Sequence, residues 1–340
     1  MAFEPEAVFV RERALDWPRG REILAHFRHK EIPVTVLGPR ERIPVPPLEG
    51  PRRGYIRAKR TLVVTTVNAA RFLPSKPSAD YQLPLSSGCP SFCEYCYLQT
   101  TLGKRPYVQV YVNLEEILSR ARAYLDEAGG RIRTFEGSCT SDPLPVEPYT
   151  RALRDVITFF ASRPNGRFRF VTKYTDVGPL TRLAHNGHTR FRFSINTDRV
   201  VRAYEHGTPP VPQRLAALRL ILEAGYPSGF IVAPLFLEGD WKSDYEALFH
   251  LIRQTCGDLR GADFTFELIT HRFTDRAKAT ILEMFPHTSL PLDPGRRQYR
   301  RGQFGYGKYL YPRDVLKEAE VLFEDLIGRL FPGARLDYFV

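Results

Sequence analysis

The sequence predicts an α/β protein whose main part is a partial (β/α)6 TIM-like barrel, with an N-terminal extension and a C-terminal β-hairpin. Three observations predict it. From about residue 80, apolar β-like runs alternate with segments that carry apolar residues at helical spacing. Polar residues follow nearly every apolar strand, as they do where barrel enzymes place their chemistry. The chain has 340 residues, 43% of them hydrophobic, and can therefore bury a full core.

Residues 1–75 are predicted to form a small α/β region. Its elements are a helix at 18–30, a strand at 32–37, an irregular proline-rich stretch at 40–53 and a second strand at 61–66.

Residues 76–290 are predicted to form the barrel, because a repeated strand–helix pattern favours a parallel sheet with outer helices. The predicted strands are 81–85, 131–135, 168–173, 190–196, 230–234 and 263–269. The predicted helices are 112–127, 149–161, 177–184, 212–224 and 245–254. Gly225 follows the helix at 212–224, as is typical of a helix C-terminus.

Residues 291–340 differ in character from the barrel. The stretch 295–309 predicts a β-hairpin turning near Gly305, and 314–330 predicts a closing helix. The hairpin interleaves basic residues with aromatic rings, a pattern that suits guanidinium contacts to phosphates and ring contacts to bases. The alternative is a basic hairpin that packs its rings on the barrel. The predicted DNA-binding residues are Arg296, Arg297, Arg300, Arg301 and Lys308.

The chain carries a formal net charge of +11, which is consistent with a polyanionic partner or with a solvated basic surface. The first residues lack the features of a signal peptide, and no apolar run could span a bilayer. We therefore expect a cytoplasmic protein with no membrane partner.

Three of the five cysteines, Cys89, Cys93 and Cys96, are spaced C-x3-C-x2-C. Thiolates at this spacing suit zinc or an iron–sulfur cluster. A fourth local ligand is missing, and three thiolates on a four-iron cluster leave one iron open to a small molecule. The alternative is a zinc knuckle completed by a distant histidine. A disulfide framework is disfavoured, because the cysteines are few and odd in number.

The motif, with the aromatic Tyr95 just before its last cysteine, resembles the signature of radical S-adenosylmethionine (SAM) enzymes. The run from Tyr97 to Gly103, the later stretch from Gly137 to Asp142 and the basic hairpin make the chain similar to the spore photoproduct lyase family. The resemblance covers most of the chain, although the N-terminal region matches less sharply. It implies a barrel of the radical SAM type.

The resemblance implies direct reversal of 5-thyminyl-5,6-dihydrothymine in DNA, with a [4Fe-4S] cluster on the three motif cysteines and SAM as cofactors. A 5′-deoxyadenosyl radical would take hydrogen from carbon 6 of the saturated thymine. By analogy, Cys139 would donate hydrogen to the resulting methyl radical, and Tyr97 with Tyr95 would return the radical toward SAM. Without that analogy, Cys139 is simply a small buried hydrophobe. The implied partners are lesion-bearing DNA and an electron donor such as a flavodoxin or ferredoxin.

SAM recognition is expected at the strand ends. Lys173 and Ser194 are predicted to bind its carboxylate, Ser141 its amino group, Asn196 its ribose and the Ala233 backbone its adenine. The usual Gly-Gly-Glu of the superfamily is absent, so amino-group recognition must differ. Two other functions remain open: a radical SAM enzyme that acts on another substrate such as RNA, and a non-catalytic, metal-bound nucleic-acid module.

Overall fold

The computed structural model describes residues 3–44, 50–103, 105–259, 261–301 and 307–340. The chain divides into two compact units. The first unit comprises Met1–Pro90 and Leu102–Arg190, and the second comprises Ser91–Thr101 and Phe191–Val340.

The helices are α1 (Pro18–Arg28), α2 (Pro51–Lys59), α3 (Leu98–Thr101), α4 (Leu114–Glu127), α5 (Glu147–Thr150), α6 (Ala152–Ala161), α7 (Asp198–Tyr204), α8 (Val211–Glu223), α9 (Trp241–Cys256), α10 (Asp275–Met284) and α11 (Arg313–Leu330). The strands are β1 (Ala7–Arg11), β2 (Val34–Leu37), β3 (Thr61–Thr65), β4 (Pro74–Ser75), β5 (Ala79–Leu83), β6 (Ser86–Ser87), β7 (Phe92–Cys93), β8 (Val108–Tyr111), β9 (Arg133–Gly137), β10 (Gly166–Thr172), β11 (Thr189–Ile195), β12 (Glu205–His206), β13 (Ser228–Leu235), β14 (Phe264–Thr270), β15 (Gln298–Arg301), β16 (Gly307–Leu310) and β17 (Arg335–Phe339).

The N-terminal sheet of the first unit has the strand order β2-β1-β3-β8-β6. Strands β1, β2, β3 and β8 run parallel, and β6 is antiparallel to β8. Alternate residues of β1, Val8 and Val10, are fully buried and belong to one core cluster with Phe27 of α1. Proline at the first position of α1 fits its preorganised φ angle.

A second set of strands in the first unit has the order β10-β9-β5-β4, in which β10, β9 and β5 are parallel. Strand β10 buries every second residue, as expected for a sheet with helices on one face. Its Phe168 stacks on Phe160 of α6, with ring centroids 5.7 Å apart. This packing fixes the carboxyl ends of β9 and β10, which carry Cys139 and Lys173.

The second unit contains four parallel strands in the order β17-β14-β13-β11. The rings of Phe249, Phe266, Phe323 and Phe331 pack helices α9 and α11 onto this sheet. The unit also contains two short antiparallel pairs, namely β7 with β12 and β15 with β16. No described helix is both long and apolar enough to span a bilayer.

The predicted strand–helix alternation is confirmed, as are the helix ending before Gly225 and the two strands of the C-terminal hairpin. One predicted element is wrong. Residues 177–184 form only a 3-10 turn at Gly178–Leu180, with proline inside it. The helix predicted at 149–161 is divided at Arg151, whose φ is 50°. The predicted turn at Gly305 lies outside the described residues. The predicted boundaries 1–75, 76–290 and 291–340 stay predictions.

Candidate active site

The predicted site residues fall into two groups. Cys89, Cys139, Ser141 and Lys173 belong to the first unit. Tyr95, Tyr97, Ser194, Asn196, Ala233 and the cysteines Cys93 and Cys96 belong to the second.

In the first unit, Cys139 follows strand β9 in a tight loop. Ser138 takes a φ of 55°, a left-handed conformation that non-glycine residues seldom adopt. The half-buried thiol of Cys139 lies 3.2 Å from the hydroxyl of Ser75 in β4. It also lies 3.9 Å from the carbonyl oxygen of Glu136. The loop therefore presents a thiol in a fixed place at the carboxyl end of a strand.

A group of hydroxyls joins this loop to the segment that leads into Cys89. Ser86 Oγ is 2.7 Å from Ser141 Oγ and 3.1 Å from Ser138 Oγ. The Gly88 amide donates to the Thr140 carbonyl at 2.9 Å. Gly88 has a φ of 77°, and a Cβ added there would lie 2.1 Å from the Tyr107 carbonyl oxygen. Only glycine fits this position.

Cys89 itself is held through its backbone. Lys59, at the end of α2, is 1% exposed, and its Nζ donates to the Cys89 carbonyl at 2.7 Å. The same ammonium group lies 5.4 Å from the ring centroid of Tyr55. Lys59 gives no signal in the sequence, because a lysine at the end of a basic segment is expected to be solvated.

Asp142 connects the Cys139 loop to the strand end at Lys173. Its Oδ2 accepts hydrogen bonds from the Lys173 amide at 2.8 Å and from Thr172 Oγ1 at 3.0 Å. Its Oδ1 accepts from the Leu144 amide at 3.1 Å. Burial raises the pKa of Asp142 to about 6, although these hydrogen bonds act in the opposite direction.

In the second unit, the segment that carries Cys93 and Cys96 lies along β12. Cys93 pairs with Glu205 in the two-residue ladder of β7 and β12. Gln99, which is 2% exposed, donates from Nε2 to the carbonyls of Cys93 and Glu94 at 3.0 and 2.9 Å. Cys93 is buried and Cys96 is half-buried.

The two tyrosines of this segment differ in exposure. Tyr97 is 61% exposed. Tyr95 donates its hydroxyl to Glu205 Oε1. Burial, reinforced by the Glu205 carboxylate, raises the pKa of Tyr95 well above its usual value. Tyr95 therefore keeps its hydroxyl proton at neutral pH.

Of the remaining residues predicted to bind SAM, Ser194 is buried at the end of β11, and its carbonyl accepts from Arg214 Nη1 at 3.1 Å. Asn196 is fully buried. Its Nδ2 donates to the Pro234 carbonyl at 2.7 Å, and its Oδ1 accepts from the Tyr245 hydroxyl at 3.0 Å. The structure thus gives the Asn196 side chain a role inside the fold. The ladder between β13 and β14 skips Ala233, which leaves its backbone outside that pairing.

The basic residues of the hairpin are not equivalent. Arg300 and Arg301 are exposed, and the side chain of Arg296 is 81% exposed. Arg297 is buried instead. Its guanidinium lies 3.5 Å from the ring centroid of Tyr311 and donates to Glu238 Oε1 at 2.7 Å and to the His271 carbonyl at 2.9 Å. Arg297 therefore anchors the base of the hairpin.

Lys308 lies opposite Arg300 in the hairpin and is half-buried. Burial, together with the charge of Arg272, lowers the pKa of Lys308. Tyr309 joins the hairpin to the rest of the second unit, because its ring stacks on Phe273 with centroids 5.1 Å apart. The exposed ring of Tyr299 makes an edge contact with the ring of Tyr309, with centroids 5.2 Å apart.

None of the five cysteines, all of which lie in the described part of the chain, takes part in a disulfide, so the donor set Cys89, Cys93 and Cys96 fits a thiolate-bound cluster. Within the described part of the chain, no three His, Cys, Asp or Glu side chains converge as ligands of a single metal ion. Thiolates of an iron–sulfur cluster bind different iron atoms, and so they need not converge on one point.

A parallel α/β fold with a C-x3-C-x2-C loop between its first barrel strand and the following helix defines a radical SAM enzyme. The family described as "Spore photoproduct lyase" matches residues 3–340. The chain belongs to the spore photoproduct lyase family.

Two relatives show the extent of the similarity. Spore photoproduct lyase of Clostridium acetobutylicum is 44% identical over 333 residues, which cover 98% of each chain. Spore photoproduct lyase of Bacillus subtilis is 40% identical over 337 residues, which cover 99% of this chain and 98% of the relative.

Two solved structures of spore photoproduct lyase, each 41% identical, match with a TM-score of 0.95 over 100% of both chains. One is complexed with dinucleoside spore photoproduct, and the other is a double mutant with bound AdoMet and the same dinucleoside. These matches confirm the predicted fold class of a partial barrel of the radical SAM type. The predicted lyase activity in DNA repair and the use of SAM are also confirmed.

Proposed function

We propose that this lyase repairs spore photoproduct in DNA with Cys139 as the hydrogen donor. The observation that carries the proposal is the half-buried Cys139 thiol at the carboxyl end of β9, outside the C-x3-C-x2-C motif. The family relationship favours this reaction over the alternatives of another nucleic-acid substrate or a non-catalytic module.

Cys89, Cys93 and Cys96 would hold a [4Fe-4S] cluster through their thiolates. When bound, the cluster and SAM supply a 5′-deoxyadenosyl radical that removes hydrogen from carbon 6 of the saturated thymine. The chain holds the peptide groups of these cysteines in place. Lys59 binds the Cys89 carbonyl, and Gln99 binds the Cys93 carbonyl. Such support outside the ligands themselves is what orients metal ligands in other proteins.

The thiol of Cys139 acts after the bond between the two thymines has broken. A carbon radical then remains on the methyl group of one thymine. The S–H bond of Cys139 breaks, a C–H bond forms, and the unpaired electron passes to sulfur. The contact with Ser75 and the constrained backbone at Ser138 fix the thiol for this transfer. Fixed placement matters because a misplaced donor would let the carbon radical react elsewhere.

Tyr97, assisted by Tyr95, then returns a hydrogen atom to the sulfur, and the unpaired electron left on the tyrosine oxygen would return toward SAM. The exposed ring of Tyr97 and the buried, still protonated hydroxyl of Tyr95 both support this role. A tyrosine can serve as a hydrogen-atom donor only while it keeps its proton.

For SAM, Lys173 and Ser194 would bind the carboxylate, Ser141 the amino group and the Ala233 backbone the adenine. The bulge at Ala233 supports its part, whereas the internal hydrogen bonds of Asn196 weaken the expectation of a ribose contact. For DNA, the exposed residues Arg296, Arg300 and Arg301 would contact phosphates. Lys308, which lies opposite Arg300 in the hairpin, would add a further positive charge for phosphate binding. A flavodoxin or ferredoxin as electron donor and a cytoplasmic location stay predictions.

The experiment that tests the proposal is an anaerobic incubation with reductant, SAM and dinucleoside spore photoproduct labelled with deuterium at carbon 6. Chromatography and mass spectrometry then follow the products. We expect intact thymine dinucleoside from the unaltered protein. Cys139→Ala should still consume the lesion but yield adducts of the methyl radical with the reductant. Clean thymine at the unaltered yield from Cys139→Ala would remove Cys139 from the mechanism.

A further inference from the structure

The part of the cysteine segment that belongs to the second unit, Ser91–Thr101, is docked on the stretch 204–208. Besides the pairing of β7 with β12, the Glu94 amide donates to the Tyr204 carbonyl at 2.9 Å. His206 Nε2 lies 2.7 Å from Glu94 Oε1. The placement of Cys93 and Cys96 therefore depends on this stretch.

This stretch contributes one member of a buried charged pair. Arg214 of α8 donates from Nη2 to Glu205 Oε2 at 2.6 Å, and both side chains have 0% exposure. The other oxygen of Glu205 accepts the hydroxyl of Tyr95. One carboxylate thus connects a guanidinium to the residue between two of the motif cysteines.

Arg214 also donates to backbone and hydroxyl acceptors. Nε donates to the Pro209 carbonyl at 2.8 Å, Nη1 to the Ser194 carbonyl at 3.1 Å and Nη2 to Thr208 Oγ1 at 2.8 Å. The guanidinium therefore ties the end of β11 to the segment that supports the cysteines.

A buried ion pair contributes little net stability, because the desolvation of two charges offsets their attraction. Apolar side chains of similar volume would stabilise the fold at least as well. The position of Glu205 indicates a role for the pair other than stability. It stands opposite Cys93 in the β7–β12 register, so its charge and its bond to Tyr95 act directly beside a proposed ligand.

We propose that Glu205 and Arg214 are positioning residues of the active site, which fix the Cys93–Cys96 segment and set the net charge beside it. The proposal rests on the proposed cluster at Cys89, Cys93 and Cys96. The positive charge of Arg214 and the negative charge of Glu205 cancel, so the pair adds no net charge beside the segment. The hydrogen bonds of the two side chains hold the segment in place.

The first test uses the protein without a cluster. In the double variant Arg214→Met/Glu205→Gln, amide hydrogen exchange over residues 93–97 should become about tenfold faster, the change that corresponds to the loss of about one hydrogen bond. The matched control is Arg192→Met/Glu267→Gln, which removes another buried pair of the same unit, joined at 2.7 Å between β11 and β14. Exchange over 93–97 that stays unchanged, or that rises equally in the control, would overturn the positioning role.

The second test measures the reduction potential of the reconstituted cluster by an EPR-monitored titration. Glu205→Gln leaves the permanent charge of Arg214 unbalanced, and this charge favours the more negative, reduced cluster. The potential should therefore shift to a more positive value. The double variant removes both charges and should return the potential to that of the unaltered protein. A potential in Glu205→Gln equal to that of the unaltered protein would refute the electrostatic part.

The two tests separate this inference from the proposed function. If the unaltered protein reconstitutes no four-iron cluster, the proposed cofactor site is wrong, whatever the exchange rates show. If it does and the variants behave like the unaltered protein, only the role of Glu205 and Arg214 is wrong.

Discussion

Replacement of Asp142 by asparagine should remove a pH dependence of stability that the structure assigns to this one carboxyl group. Asp142 is buried and accepts the Lys173 amide, Thr172 Oγ1 and the Leu144 amide. Burial nonetheless raises its pKa from 3.8 to about 6. The folded state therefore holds a proton on Asp142 over a pH range in which the unfolded chain has already lost it.

A rise of the pKa from 3.8 to about 6 corresponds to about 3 kcal/mol of linkage free energy. Because the pKa in the folded state is the higher one, this stability is fully present below pH 3.8. It is lost as the pH rises through about 6. About 2 kcal/mol of the loss falls between pH 4.5 and 7.5. Asparagine does not titrate, so the variant lacks this decline.

The assay is urea unfolding of the cluster-free protein at several pH values from 4.5 to 7.5, with circular dichroism as the probe. The free energy of unfolding of the unaltered protein, minus that of Asp142→Asn, should fall by about 2 kcal/mol across this range. A constant difference would refute the reasoning. Asp80→Asn serves as the control. Burial acts to raise the pKa of Asp80, but Lys76 and the Thr134 amide lower it overall, so the corresponding difference should not fall.

Three further predictions concern the reaction and DNA binding. Alanine at any one of Cys89, Cys93 and Cys96 should abolish SAM cleavage, which is measured as 5′-deoxyadenosine. The variant should also lose the approximately four iron atoms per chain that one such cluster requires. Cys139→Ala should keep its iron and cleave SAM, because its thiol is proposed to act after that step. Neutralisation of the three exposed hairpin arginines should weaken DNA binding and lower the salt slope by about three, since each phosphate contact releases counterions; these are Arg296, Arg300 and Arg301.

Two of these predictions have a control variant in the chain. Cys256→Ala should leave SAM cleavage intact, because this thiol lies at the end of α9 and burial raises its pKa to about 12. Arg297→Met should lower the free energy of unfolding, because it leaves Glu238 and the ring of Tyr311 without their cation. Iron loss in Cys139→Ala would make it a ligand, and an unchanged salt slope would move the DNA site away from the hairpin.

The fold could be predicted where periodicity is strong. Strand β10 alternates buried and half-buried residues, and α4 repeats apolar residues every three or four positions, so both were identified. Short strands gave too little pattern. β1, β8 and β17 have four or five residues each and were missed. Helix α10 buries only Ile281 and Met284, and α2 follows a proline-rich stretch, so neither produced a clear helical signal.

The site could be predicted only as far as local spacing carries chemistry. The motif cysteines lie close together in the sequence, and Cys139 follows a recognisable strand. Lys59 and Arg214 were missed for a different reason. Their partners lie 30 and 9 residues away, and no local pattern distinguishes a buried cation from a solvated one. Arg297 shows the converse, because its sequence neighbours are exposed while its own side chain is buried.

The contacts of Gly88 and Cys89 indicate whether the protein folds before or after it receives its cluster. The Gly88 amide bonds Thr140, more than fifty residues later, and the Cys89 carbonyl bonds Lys59, thirty residues earlier. These bonds exist only after the first unit has folded. In a zinc finger, by contrast, the metal itself drives folding. The apoprotein would then fold first and receive iron and sulfide afterwards. The backbone of the first proposed ligand, Cys89, would already be in position when the cluster is delivered.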